Sequence, residues 1–392
     1  MKRFAALLFS LLASQLLAGC ASVAPPPPPP QLFQDQLFGQ PDADINAGQI
    51  FALTDEMKKY AHTLKYSRAR REPQLILFDA LYKRDQLQLE YDASMTRNAA
   101  QTFEARRGNC LSLVVMTAAM AREMDMSVQY QSITTEETWS RSGNLYFASG
   151  HVNLVLGKPR MKDVHSVEPN QYMVVDFEPP AETSRMVATV IPEERIVAMF
   201  MNNRAAESLA RKELNRAYWW ARKATLADPT FFSSYNTLAI VYQHHGQLPQ
   251  AEAALRYAQQ LQPNNTIAMF NLVQVLDNLG RTQEATALRE HLARLEPNPP
   301  FHYFSLGQKA MQEGDYRKAR NLFAREVDRA PYYHEFHFWL AVASYYLNDL
   351  KTADKHMKLA MDNSTTRKDH DLYAAKLDRL KFQERQRNAY SN

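Results

Sequence analysis

The chain has 392 residues, of which 45% are hydrophobic and 22% charged, which is typical of a globular protein and excludes a disordered one. This length predicts about two or three domains. The formal net charge of +4, from 46 basic and 42 acidic residues, comes with no single-sign patch in the sequence, which argues against a nucleic-acid-binding protein.

Residues 1–19 have the pattern of an export signal. Lys2 and Arg3 precede an apolar run, and small residues follow it directly before Cys20. The pattern resembles a bacterial lipoprotein signal, in which Cys20 becomes the lipidated first residue of the mature chain. An ordinary secretory leader with a chance cysteine is the alternative. The resemblance implies a lipid anchor in the cell envelope, and Ala21, in place of an aspartate, favours the periplasmic side of the outer membrane.

Residues 20–49 are predicted to be a linker between this anchor and the folded part. The unbroken proline run Pro25–Pro30 is typical of a polyproline II helix, which is a stiff spacer. A proline-binding partner is the alternative reading of that run. The rest of the linker, Gln31–Gln49, is polar with few apolar anchors, so we expect it to be loosely ordered.

The segment 50–192 has the element order of an α+β domain, with helices first and strands after them. Apolar residues at helical spacing predict one helix from Phe51 to Leu64 and another after Pro73. A third apolar helix is predicted from Leu111 to Met126, with Gly108 and Asn109 as its turn and N-cap. Alternating apolar and polar residues then predict three strands, which are Val128–Ile133, His151–Leu156 and Tyr172–Phe177.

Cys110 stands at the start of the third predicted helix. A thiol on the first turn lies at the positive end of the helix dipole, which favours the thiolate. The chain has two cysteines, so acylation of Cys20 leaves Cys110 without a disulfide partner. Cys110 is therefore either a buried structural thiol or a nucleophile.

A cysteine nucleophile needs a base and a group that orients the base. His151 opens one predicted strand and Asp176 lies near the end of the next, so the two side chains are expected to be neighbours. His165 is the second candidate for the base. Asp163 and Glu178 are the further candidates for the orienting group.

Three motifs in this segment resemble the transglutaminase-like cysteine-protease superfamily, namely Arg107–Ser112, Gly150–Asn153 and Val174–Phe177. The resemblance implies a transglutaminase-like (papain-like) α+β fold over residues 50–192. It implies that Cys110 is the nucleophile, His151 the base and Asp176 the orienting group. The backbone N–H of Cys110 is a candidate oxyanion donor, and the side chain of Gln101 is the second. The sequence has no metal-ligand spacing and no Gly-rich phosphate loop, so we expect no metal and no cofactor.

Residues 198–366 repeat with a period of 34 residues, which resembles about five tetratricopeptide repeats in an all-α solenoid. Residues 367–392 are predicted to be a charged C-terminal helix and tail. The periodic positions are prolines (Pro229, Pro263, Pro297, Pro331), alanines (Ala217, Ala251, Ala285, Ala319, Ala353) and turn glycines (Gly246, Gly280, Gly314), with Lys212 and Asn348 at the turns of the first and fifth units.

Two functions follow from this organisation. The first is an envelope-anchored thiol enzyme, a peptidase, amidase or transamidase acting through an acyl-enzyme, whose repeats recruit a protein or peptide on their concave face. The second is a tetratricopeptide adaptor whose transglutaminase-like domain is vestigial. Hydrolysis and transamidation are not distinguished by the sequence.

Overall fold

The structure is a computed structural model that describes residues 26–67, 71–83, 86–134, 139–142, 145–148, 151–157, 172–177, 187–331, 333–364 and 367–390. The predicted export signal, Cys20 and Pro25 lie outside these residues. Among the helices that are described, none combines the length and the apolar character needed to cross a membrane.

In the described residues four α-helices precede the main sheet. They are α1 (Asp55–Lys65), α2 (Pro73–Tyr82), α3 (Ala99–Ala105) and α4 (Cys110–Glu123). Every residue of α4 from Leu111 to Ala121 is buried, because α1 and α3 pack on the helix and the sheet covers it as well. The predicted apolar helix is confirmed, although it ends at Glu123 and is buried all round.

The main sheet has four antiparallel strands, β3 (Ser127–Thr134), β6 (His151–Gly157), β7 (Tyr172–Val175) and β8 (Val187–Ile191), in the order β7-β6-β3-β8. Two short pairs stand apart from it. One joins β1 (Glu90–Tyr91) in parallel to β2 (Arg107–Gly108), and the other is the hairpin of β4 (Trp139–Ser142) and β5 (Leu145–Ala148). The three predicted strands are confirmed, whereas β8 was not predicted.

The helical repeats continue directly from the sheet. Only Pro192 separates the edge strand β8 from α5 (Glu193–Ala210), and one hydrophobic core runs without interruption from Leu32 to Ala285. The hairpin also lies against the repeats, because β5 contacts the helices α7 (Phe232–His244) and α9 (Thr266–Asn278). The sheet and the first three repeat units therefore share a single core.

The other repeat helices are α6 (Leu214–Ala227), α8 (Leu248–Leu261), α10 (Thr282–Leu295), α11 (His302–Gln312), α12 (Tyr316–Arg329), α13 (His334–Tyr346) and α14 (Leu350–Asp362), and α15 (Arg367–Tyr390) closes the array. The periodic alanines are buried, as close helix pairing requires. The turn between the two helices of each of the five repeat units has left-handed backbone, at the three periodic glycines and also at Lys212 (φ 63°) and Asn348 (φ 62°). The predicted equivalence of these five positions is confirmed.

The solenoid has one break. Consecutive helices from α5 to α15 pack against each other, except α10 and α11, which make at most a marginal contact. The chain between them carries Pro297, Pro299 and Pro300 and then Phe301, whose φ of 62° is left-handed. A separate aromatic cluster begins at Phe301. The 34-residue period passes through this junction, so the sequence predicted a continuous array where the structure has two units, 193–295 and 301–390.

The predicted loose ordering of Gln31–Gln49 is wrong. This segment, which we call the strap, packs along α6 and the end of α7. The Phe38 ring stacks on Tyr218 with ring centroids 3.8 Å apart, and Leu32 and Ile45 are buried. Tyr242 Oη donates to the Leu32 carbonyl over 2.7 Å, and Trp219 Nε1 donates to the Gly39 carbonyl over 2.6 Å.

The strap could not be recognised from its own composition because its partners lie about 180 residues further along the chain. The Phe38 ring of the strap packs on an aromatic residue of α6, and the carboxylates of the strap form ion pairs with arginines of α6. Arg216 pairs with Asp42 and with Asp44, and Arg222 pairs with Asp35.

Replacement of Lys212 by glycine is expected to raise the free energy of unfolding by about 0.5–1 kcal/mol. Left-handed backbone costs a residue with a Cβ about 1–2 kcal/mol, which glycine avoids. Glycine also loses more conformational entropy on folding, so the net stabilisation is smaller than this. Urea denaturation followed by circular dichroism measures the change. The matched control is Arg211→Gly, one residue earlier at φ −87°, which is expected to destabilise the protein. Equal effects of the two variants would contradict the prediction.

Phe38→Ala is expected to accelerate amide exchange across residues 31–49 by about tenfold, because an aromatic stack and its buried area are lost. Hydrogen–deuterium exchange with peptide mapping measures the rate. The control is Gln36→Ala, whose side chain is exposed on the same strap. Exchange that is already fast in the unaltered protein would show that the strap is not held.

Candidate functional site

The residues just before Cys110 build a fixed helix start. The Asn109 Oδ1 accepts from the backbone N–H of Ser112 over 2.9 Å and from its hydroxyl over 2.7 Å, so Asn109 is the N-cap that the sequence predicted. Gly108 is required by close packing, since a Cβ there would lie 2.6 Å from the Ser112 Cβ. Cys110 is thereby set on the first turn of α4, half-buried and unpaired.

A loop packed beside the helix start completes this local network. Asn109 Nδ2 donates to the Thr96 hydroxyl over 2.8 Å, and the Ser112 hydroxyl accepts from the backbone N–H of Arg97 over 2.8 Å. Arg97 in turn pairs with Asp92 at 3.1 Å. Sequence reasoning gave Thr96 and Arg97 no role, because neither is placed near Cys110 by any local pattern.

The topology brings His151 to the same end of the α4–sheet layer as Cys110. The chain reverses at Asp125, whose φ is 60°, and β3 then runs back along α4. The helix is about 21 Å long and the strand about 26 Å, so β3 ends at the level of the helix start. Near that end Ile133 pairs with His151, which is the first residue of β6.

Asp176 arrives at the same end because β7 is antiparallel to β6, with Val175 opposite Leu154. The His151 Nε2 lies 2.7 Å from the Asp176 Oδ1, and the other carboxylate oxygen accepts from Asn153 Nδ2 over 3.1 Å. His151 is 6% exposed and Asn153 is 4% exposed. The carboxylate is therefore held by two buried donors, and with Nε2 turned to Asp176 the Nδ1 edge of the ring points away from it.

Asn153 is part of the motif Gly150–Asn153, but no role was predicted for it from the sequence. The signal was available, because His151 and Asn153 are two residues apart on a strand and so share one face. Tyr82 was missed as well. Its hydroxyl donates to the Asp176 carbonyl over 3.0 Å and its ring stacks on Phe177 at 5.9 Å. Burial, and then the charge of Asp176, raise the pKa of Tyr82 to about 12. Tyr82 therefore stays a neutral hydroxyl at neutral pH.

Gln101 has a local contact that the sequence did not suggest. Its side-chain oxygen accepts from the backbone N–H of Asn98 over 3.2 Å, and Asn98 accepts from the Gln101 N–H in return, which makes a capping box at the start of α3. The oxyanion role of Gln101 stays a prediction. His165, Asp163 and Glu178 lie outside the described residues. Within the parts of the chain that the structure describes, no group of three or more His, Cys, Asp or Glu is placed to hold a metal ion.

Comparison with known families decides the identity of the helical part. One tetratricopeptide-repeat family model matches residues 220–253 and a second matches residues 304–354. The C-terminal part of this chain is built of tetratricopeptide repeats. Such repeats are non-enzymatic modules that typically bind proteins or peptides. None of the curated proteins compared with the chain matches it.

Several solved repeat proteins are similar to the helical part. YrrB, described as a TPR protein with an unusual peptide-binding site, is 22% identical over 46% of this chain and 92% of its own, with a TM-score of 0.25. PilF of Pseudomonas aeruginosa is 19% identical over 50% of this chain and 98% of its own, with a TM-score of 0.28. MamA from Desulfovibrio magneticus RS-1 is 19% identical over 42% of this chain and 94% of its own, with a TM-score of 0.25. These scores are too low to transfer any property of those proteins.

Proposed function

We propose that the protein is a transglutaminase-like thiol enzyme whose tetratricopeptide repeats recruit a protein or peptide substrate. The observation that carries the proposal is the pair of the buried His151 with the partly exposed Asp176, whose Nε2 and Oδ1 atoms lie 2.7 Å apart. The support for a common site with Cys110 is that β3 leads back along α4 and that Ile133, near its end, pairs with His151. A nucleophile, a base and an orienting carboxylate are the groups that acyl transfer needs.

In this proposal His151 Nδ1 takes the Cys110 thiol proton, and Sγ attacks the carbonyl carbon of an amide or ester. The negative charge that develops on the carbonyl oxygen is met by the N–H of Cys110, with Gln101 as the second predicted donor. The imidazolium then gives its proton to the leaving amine or alcohol as the C–N or C–O bond breaks. The resulting thioester is resolved by water in a peptidase or amidase, or by an amine in a transamidase. Asp176 stabilises the imidazolium.

The proposal also places the protein in the bacterial cell envelope, anchored by the acylated Cys20 on the periplasmic side of the outer membrane. The support is the leader pattern of residues 1–19. In this proposal the linker 20–49 connects the anchor to the first repeat unit, along which its strap is packed on α6.

We expect the two repeat units to differ in role. The unit 193–295 shares its core with the sheet, and the hairpin strand β5 lies against the first helices of its second and third repeats. That part of the helix surface is already occupied by the chain itself. The unit 301–390 has its own core, and the first helix of its last repeat ends in Tyr345 and Tyr346, which are exposed. This second unit is the better candidate for recruiting a partner.

The thiol proposal predicts that His151→Ala slows the alkylation of Cys110 at neutral pH and shifts the pH midpoint of this reaction upward. The reason is that the imidazolium that would stabilise the thiolate is lost. Asp176→Asn is expected to shift the midpoint in the same direction. Alkylation by iodoacetamide, followed on the Cys110 peptide by mass spectrometry across pH, measures the midpoint.

The matched control for this titration is His370→Ala, because His370 also stands beside an aspartate, Asp371 at 3.6 Å, but on α15. This variant is expected to leave the midpoint unchanged. A midpoint that is the same in the unaltered protein and in His151→Ala would falsify the activated-thiol proposal.

The second candidate function is a tetratricopeptide adaptor with a vestigial thiol site. The specific observation in its favour is the separate unit 301–390, whose exposed aromatic residues belong to a module that binds proteins. In this case recruitment is the whole function and Cys110 takes no part in it.

The two functions are separated by comparing Cys110→Ala with a double variant that changes Tyr345 and Tyr346 to alanine. If the protein is an adaptor, Cys110→Ala should still bind the partner and give the same cellular phenotype as the unaltered protein, whereas the double variant should lose both. If the protein is an enzyme, Cys110→Ala should still bind the partner but should no longer give the phenotype of the unaltered protein. Affinity purification from cells measures whether the partner stays bound. The control is Tyr172→Ala, which changes an exposed tyrosine on β7.

A further inference from the structure

We propose that Glu207 and Arg204, on the first helix of the repeats, are positioning residues for the Cys110 thiol and act through Thr96 and Asn109. The inference rests on the proposed thiol function and deepens it, because it makes the first repeat part of the catalytic unit rather than a recruiting arm.

The first step runs from the repeats to the loop beside the cysteine helix. Glu207 Oε1 accepts from the Thr96 backbone N–H over 2.6 Å, and Arg204 Nη1 donates to the Thr96 carbonyl over 3.2 Å. The two α5 side chains are themselves paired, with Arg204 Nη1 3.0 Å from Glu207 Oε2. Both backbone polar groups of Thr96, which is 1% exposed, are thus held by one ion pair from the repeats.

The second step runs from the loop to the thiol. The Thr96 hydroxyl accepts from Asn109 Nδ2 over 2.8 Å, which decides that the other side-chain atom, Oδ1, faces the helix. That oxygen is the N-cap acceptor for Ser112 N at 2.9 Å. Cys110 follows Asn109 directly, so the contact that fixes the N-cap also fixes the first turn on which the thiol sits. A helix N-terminus stabilises an anion only within its first turn, so a frayed cap removes that stabilisation.

The charges of the Glu207–Arg204 pair also distinguish its contact with Thr96 from ordinary packing. Burial raises the pKa of Glu207, while the hydrogen bond from Thr96 and the charge of Arg204 act in the opposite direction. A buried carboxylate costs desolvation energy that an apolar pair of similar size would avoid. What the carboxylate and guanidinium provide instead is a fixed direction for the Thr96 backbone, since one accepts and the other donates.

The test is the pH titration of Cys110 alkylation in the full chain with Glu207→Ala and Glu207→Gln. Glu207→Ala removes the acceptor for Thr96, and we expect alkylation at neutral pH to slow about fivefold as the midpoint rises, the size of effect expected when a helix N-terminus no longer stabilises an anion. Glu207→Gln keeps a carboxamide oxygen as acceptor and is expected to restore the wild-type profile. Thr96→Val should reproduce the Glu207→Ala shift, and Thr96→Ser should not.

The control is Glu326→Ala, which removes a buried carboxylate with the same kind of task in the second unit, where it accepts from the backbone N–H of Tyr303 over 2.8 Å. This variant is expected to lower stability and to leave the alkylation midpoint unchanged. A merely structural role of Glu207 predicts the opposite pattern for Glu207→Ala. Loosening would expose the half-buried thiol, so alkylation would speed up at every pH with no shift of the midpoint, and that result overturns the inference.

The failure of this inference is distinguishable from failure of the proposed function. A midpoint that responds to His151→Ala but not to Glu207→Ala or Thr96→Val refutes the positioning role alone. A midpoint that responds to Glu207→Ala but not to His151→Ala supports the positioning of the thiol and refutes its activation by the histidine.

Discussion

The burial of α4 on every side from Leu111 to Ala121 is the constraint on which the rest of the structure depends. A helix with no solvent-facing side needs neighbours all round, and here they are α1 and α3 together with the sheet. Between Leu111 and Ala121 its surface is taken up by packing, so polar groups meet this helix at its two ends. The network around Asn109 is where that buried helix meets polar groups, and Cys110 is the first residue beyond it.

The same constraint explains why the repeats are not a separate appendage. The sheet has an edge strand, β8, that passes through Pro192 into α5, and the core of the sheet continues into the first three repeat units. The strap adds a second connection by packing on α6. Part of the surface that a repeat array could offer to a partner is here covered by the hairpin strand β5, and part of its core is shared with the sheet. The break between α10 and α11 then separates this supporting unit from a second one with a core of its own.

This division gives the two proposed functions different physical locations. Thiol chemistry depends on the end of the sheet where the His151–Asp176 pair lies, and the first repeat reaches that end through Thr96. Recruitment depends on the unit 301–390. The proline-rich junction before Phe301 allows the second unit to have its own core without disturbing the first. The same architecture would thus serve both proposed functions. A thiol enzyme and an adaptor with a vestigial thiol site would differ only in whether Cys110 reacts.

The sequence by itself determined everything that depends on local spacing. A period of 34 residues located the repeats and their five left-handed turns, alternation located three strands, and Asn109 marked the start of the cysteine helix. The tertiary structure alone decided the ordering of the strap, the strand β8, the break before Phe301 and the contacts of Thr96. The strap, β8 and Thr96 depend on partners far away in the chain, such as Tyr218 for the strap and Glu207 for Thr96, and the spacing of residues does not reveal such partners. The break before Phe301 does not interrupt the 34-residue period, so the period could not reveal it either.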